Sequence, residues 1–185
     1  MNVNGLSNSS YGVQNVFSQK GNNKTGNVTS DFQNNFQGTC SLVLVSGGLM
    51  SRGLSDGGCT TVYKAEGYSA ENPLMRVVTT SLNGQEYEQL IDPTKVNPAS
   101  ATRTEIDALT AYLVDEKKLD SVSALGIGAG AGIGTTTFSS ASTVKENYCS
   151  LTEEMMKMQY NSHNYEGYLH YKKILSIFDA LMLKR

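Results

Sequence analysis

The stretch "LMRVVTTSLNGQEYEQLIDP", residues 74–93, holds two runs of strand-forming residues, 74–82 and 85–91, on either side of Asn83-Gly84. Asparagine and glycine tolerate left-handed backbone conformations, so this dipeptide suits a type I′ turn and the stretch predicts a β-hairpin. Pro93 and Pro98 stop the second strand and impose an extended connection. Beyond it, Thr102 and Glu105 have the spacing of a capping box. Ile106, Leu109 and Leu113 recur on one helical face, so a helix from Arg103 to about Lys117 is expected.

Upstream, "TCSLVLVSGG" reads as a short, mostly buried strand ending at a glycine pair. The text "GGLMSRGLSDGG" reads as a glycine-rich loop, and "CTTVYKAEG" as a second strand. Residues 1–38 are rich in Asn, Ser, Gly and Gln, with isolated apolar residues that build no face. Such a segment buries too little to offset its ordering entropy, and a disordered head is expected there.

Downstream, Val144, Tyr148, Leu151, Met155 and Met158 form one helical seam, which breaks at "NSHN". A new register begins with Tyr168, Tyr171, Leu175, Phe178 and Met182, flanked by Ile174 and Leu181. Two helices joined near 161–164 explain this better than one rod. The expected fold is therefore α+β, in four parts. A disordered head (1–38) precedes a small β-rich domain with a hairpin and one helix (39–120). A Gly/Ser/Thr-rich linker (121–142) then leads to a C-terminal helical hairpin (143–185).

Composition narrows the function. The chain has 185 residues, 39% hydrophobic and 17% charged, with a formal charge of −2 and no basic block, so nothing points to nucleic acid. No apolar run approaches the roughly 20 residues of a membrane-spanning helix. The start "MNVNGLSNSSYGVQNVF" lacks the basic and apolar regions of a secretory signal, which makes the cytoplasm the expected compartment. The three cysteines, Cys40, Cys59 and Cys149, are widely spaced and include no C-x-x-C pair, so neither a disulfide framework nor a zinc site with His163 or His170 is expected.

Two motifs invite chemistry. "LGIGAGAGIGT", residues 125–135, cannot be a Walker loop, because its glycines are all even-numbered and no lysine follows. It does satisfy a relaxed dinucleotide fingerprint, but it lacks a buried strand before it and a helix start after it. A linker, or an extended segment closely packed through its glycines, is expected instead, with no cofactor. "GLSDG", residues 53–57, matches a nucleophile elbow around Ser55, with Asp92, Asp107, Asp115 and Asp120 and then His163 and His170 downstream. A serine hydrolase is therefore the enzymatic alternative, weakened because loop precedes the serine and "GGCTTVY" follows it.

The leading expectation is a non-enzymatic interaction or structural protein. Its terminal helices would bind a protein partner or a second copy through Tyr168, Tyr171, Leu175, Phe178 and Met182, since tyrosine and methionine favour partner-facing helices. A variant has the protein leave the cell by a flagellar-type export route, because a polar head before amphipathic helices is similar to the layout of such substrates.

The text "ENPLMRVVTTSLNGQEYEQLIDPTKVNPASATRTEIDAL", with "MKMQYNSHNYEGYLHYKK" and the opening "MNVNG", resembles a loose group of proteins of unknown function from Gram-positive anaerobic bacteria. The similarity covers about two-thirds of the chain. It implies a bacterial origin and supplies no activity or catalytic residue.

Overall fold

The computed structural model describes residues 47–128 and 136–183. The predicted head, the strand predicted at "TCSLVLV" and residues 129–135 of the glycine stretch lie outside this range. The fold is α+β. Strands β1 (Met50–Gly53), β2 (Cys59–Lys64), β3 (Met75–Thr80) and β4 (Glu86–Ile91) form an antiparallel sheet in that order. A short 3-10 turn (Pro93–Lys95) and a two-residue strand β5 (Ala101–Thr102) lead into helix α1 (Arg103–Asp115). Helix α2 (Ser121–Gly126), strand β6 (Lys145–Glu146), helix α3 (Tyr148–Asn161) and helix α4 (Tyr165–Met182) follow.

The predicted hairpin is β3–β4, with Val77 opposite Gln89 and Thr79 opposite Tyr87. Its turn is not type I′. Asn83 keeps a negative φ, and only Gly84 is left-handed, at +79°. Gly84 N–H donates to Ser81 O (3.0 Å), and Ser81 N–H to Gln85 O (2.8 Å). This is a type I turn followed by a left-handed glycine, the usual three-residue hairpin loop; the leucine before Asn83 joins the turn rather than the strand. β1 is a second departure. It occupies "MSRG" inside the expected glycine-rich loop, where Arg52 is held by buried partners that no local pattern announces.

Helix α1 starts as predicted. Thr102 caps it, accepting from Glu105 N–H, while the Glu105 carboxylate accepts from Thr102 N–H at 2.7 Å. The helix is the middle layer of three. Its small side chains Ala108 and Ala111 let it lie close on Val62, Met75 and Val77 of the sheet. Its large ones, Ile106, Leu109 and Leu113, point the other way, into a cluster with Leu119, Ala124, Ile127, Tyr148, Ile174 and Phe178. Helix α1 is thus buried on two sides, one by the sheet and one by the terminal helices.

The two terminal helices form the expected antiparallel pair. The chain reverses at residues 162–164, where His163 has a φ of +60° and Asn164 caps α4 through Gly167 N–H. The pair is not detached from the rest. Tyr148 N–H donates to Pro98 O (2.9 Å), β6 pairs with β5, and Ile174 and Phe178 sit in the same core as α1. The span read as a linker is occupied in its described part by α2 and by turns at 137–143 whose Ala141 is fully buried.

Candidate functional site

The structure sorts the predicted partner residues into two groups. Phe178 is fully buried, between α4 and α1, and cannot meet a partner without the core opening. This corrects its assignment as a contact residue. The seam 168–171–175–178–182 is largely the inward face of the helix, because an amphipathic stripe faces whatever core is nearest and here that core belongs to the same chain. Tyr171 also packs against the core, over Gly126, while Tyr168, Leu175 and Met182 are half-buried.

Exposed apolar side chains lie elsewhere on the same helices. Val122 and Leu125 on α2, Met158 and Tyr160 on α3, and Tyr165 and Leu169 on α4 are each more than half exposed. At the tip of the pair the Tyr160 ring meets those of Tyr165 (6.0 Å between centroids) and Tyr168 (5.6 Å), and His163 stands edge-on to Tyr165. The contact set expected from the sequence includes Tyr168 and leaves out Tyr160, Tyr165 and Leu169, since period alone does not say which side of a helix finds a core.

The residues of the hydrolase alternative are dispersed. Ser55 lies in the β1–β2 turn, followed by a strand instead of a helix, and its hydroxyl donates to Thr136 O (2.9 Å). Asp92 caps the 3-10 turn, and Asp115 pairs with Lys64 and accepts from Tyr68. His163 is exposed in the α3–α4 reversal.

His170 and Asp120 do come together, around a serine that the sequence did not single out. Ser123 donates to Asp120 Oδ2 at 2.8 Å, and its oxygen lies 3.0 Å from His170 Nδ1. Lys173 Nζ is 3.2 Å from the same carboxylate. Asp120 also accepts from Ser123 N–H as the cap of α2, and these hydrogen bonds hold its carboxyl well below the usual range. The arrangement resembles a triad only in composition. With Asp120 taking the serine proton, His170 is a donor to the serine and no base for it, and the serine is 2% exposed. Its effect is structural: it fastens α2 to α4.

The second polar cluster is fully internal. Asp107 on α1 pairs with Arg52 Nε of β1 (3.2 Å) and with Arg103 Nε (3.4 Å), and accepts from Thr60 of β2 (2.8 Å). The Arg52 guanidinium also donates to the carbonyls of Ala124 and Ile127, at the end of α2. Three elements, α1, β1 and β2, thus meet at one carboxylate with no exposure to solvent, and Arg52 ties α2 to them.

This cluster explains the start of the glycine stretch. Gly128 is buried at φ +70°, and a Cβ there would lie 2.7 Å from Arg103 Nη1 and 3.3 Å from the Tyr148 ring. Gly126 is a close seat for Tyr171. In its described part, residues 125–128, the stretch is packed, as the end of α2 and a turn and not as an extended segment. Gly128→Ala is expected to lower stability by about 2 kcal/mol or more, because a left-handed alanine is strained and the guanidinium, pinned by Asp107, has no free space to yield into. Thermal unfolding of the variant checks this.

Burial dominates the titration of nearby groups. The Tyr148 phenol is pushed up to about 12, chiefly by desolvation, with Arg103 opposing and Asp107 and Glu146 adding. A phenol ionises near pH 10 in the unfolded chain, so between pH 10 and about 12 the unfolded state loses the proton that the folded state keeps. Stability is expected to be unaffected by this group below pH 10 and to fall above it. Urea midpoints at pH 9 and pH 11 should diverge in the wild type, and less so in Tyr148→Phe. Burial also pushes up the Cys59 and Cys149 thiols, which does not favour reactive thiolates.

Among the described residues, no group of three or more His, Cys, Asp or Glu side chains could hold a metal ion. Among them, too, no helix is long and apolar enough to cross a membrane. No family model, no curated protein and no solved structure matches the chain. The chemistry of its own surface is what remains to indicate a role.

Proposed function

We propose that the chain is a non-enzymatic interaction or structural protein that binds a protein partner, or a second copy, through the outward side of its C-terminal helices and α2. One observation carries this reading: six apolar or aromatic side chains on α4 and on the two helices that pack against it, α2 and α3, are more than half exposed, three of them in α4 and the tip next to it. Single exposed apolar residues are ordinary, but grouping on neighbouring elements marks an interaction surface. Exposed tyrosines suit that role, since a rigid ring offers large contact area at little entropic cost, and its hydroxyl tolerates water when the partner is absent.

The contact set is accordingly Tyr160, Tyr165 and Leu169 with half-buried Tyr168, and Phe178 is replaced in that role. The double variant Tyr165→Asp with Leu169→Asp is expected to weaken the complex by about 30-fold or more, the effect of losing a hot spot of about 2 kcal/mol. Its unfolding midpoint should stay within experimental error of wild type, because both positions are solvated. Affinity capture from a lysate of the source cells, with sedimentation of the purified protein for self-association, reads the loss. Equal capture and equal self-association by wild type and variant would overturn the proposal.

A further inference from the structure

The sheet face under α1 carries one polar rung. The registers place Arg52 opposite Thr60, Thr60 opposite Thr79 and Thr79 opposite Tyr87, so a row of polar side chains crosses all four strands. Arg52 and Thr60 are satisfied by Asp107, and the Tyr87 hydroxyl donates to Phe138 O (3.4 Å). Thr79, between them, is fully buried, and its Oγ1 has no hydrogen-bond partner among the described residues. On the adjacent rung Gln89 stands opposite Val77, which makes it the diagonal neighbour of Thr79 on the same face. The Gln89 side-chain oxygen is buried and has no partner among the described residues either.

Two unpaired polar groups on neighbouring rungs are unusual, since nearly all buried polar atoms find a partner or an ordered water. Diagonal neighbours in an antiparallel pair are about 7–8 Å apart at the backbone, near enough for a threonine and a glutamine to share one small bridging molecule. The hydroxyl both donates and accepts, and the amide presents an acceptor or a donor according to its orientation. A water molecule complements either arrangement. We propose that Thr79 and Gln89 form a buried site for one water molecule, which accepts from the Thr79 hydroxyl and donates to the Gln89 carbonyl.

The sign of a substitution separates this from an orphaned hydroxyl. If water bridges the two groups, Thr79→Val strands the water and the amide, and the folding constant should fall about tenfold. If no water is present, the same change removes an unsatisfied hydroxyl and the constant should rise. Gln89→Met should also lower it, and the double variant should cost no more than either single, because replacing both partners with apolar groups of similar shape is nearly neutral. A high-resolution crystal structure of the wild type is expected to place one ordered water within hydrogen-bond distance of both side chains. A stabilised Thr79→Val variant would overturn the proposal, as would a direct Thr79–Gln89 hydrogen bond or a dry contact in the crystal.

Discussion

Asp107→Ala is expected to lower stability by about 3–5 kcal/mol, the range found when one partner of a buried ion pair is removed. The carboxylate is the common acceptor for Arg52 and Arg103, and both guanidinium-bearing side chains are 6% exposed. Without it, two cations sit near one another in a site that water does not reach, and the Thr60 hydroxyl keeps only the distant Arg52 carbonyl, at 3.5 Å, as acceptor. The loss spreads, because Arg52 also holds the end of α2 against the sheet. Asp115→Ala is the matched control: it removes a partly exposed pair with Lys64 and should cost about 1 kcal/mol or less. Urea unfolding of both variants at neutral pH makes the comparison. Equal losses would mean that the internal cluster is not a keystone of the fold.

Phe178→Ala should be comparably severe, about 3–5 kcal/mol, because a fully buried ring is replaced by a cavity among rigid neighbours. Those neighbours include Ile106 and Leu109 of α1 and Tyr148 of α3, so the damage reaches the layer that supports the sheet. Phe178→Glu is expected to unfold the sheet along with the helices, since it adds an unpaired buried carboxylate to the lost packing. It therefore cannot serve as a surface variant. Met182→Ala, at a half-buried position, should lose markedly less. Denaturation followed separately by a sheet probe and a helix probe distinguishes a shared collapse from local fraying.

Much of the architecture was legible in local chemistry. The capping box of Thr102 and Glu105, the Asn-Gly hairpin and the reversal between two helical registers each depend on neighbouring residues, and each is found where those residues stand. Strand β1 was not legible, because Met50–Gly53 is too short to alternate and its arginine is internal for reasons that lie on α1 and α2. The turn type was misread because Asn-Gly fits both a two-residue and a three-residue loop, and the register of Ser81 with Gln85 selects between them.

The candidate site was legible only in part. Helical periodicity locates an apolar stripe, but it cannot say whether that stripe meets a partner or the chain's own core. The alanines at 108 and 111 were the available clue that α1 has a second buried side. With α1 enclosed by the sheet on one side, its leucines must be covered from the other, and Ile174 and Phe178 cover them. That same packing leaves Tyr165 and Leu169 facing outward. The cluster of Asp120, Ser123 and His170 joins residues 47 positions apart, a separation that spacing arguments do not reach.

The central claim is that sheet, α1 and terminal helices form one cooperative body whose free surface is the outward side of α4. Native-state hydrogen exchange tests it most directly. The slowest amides of α4, around Ile174 and Phe178, should exchange with the same opening free energy as those of β3 around Val77, and both should track global unfolding in urea. Exchange of the α4 amides at a clearly lower free energy, with β3 still protected, would contradict the account and restore a detachable helical unit whose inner face is open to a partner.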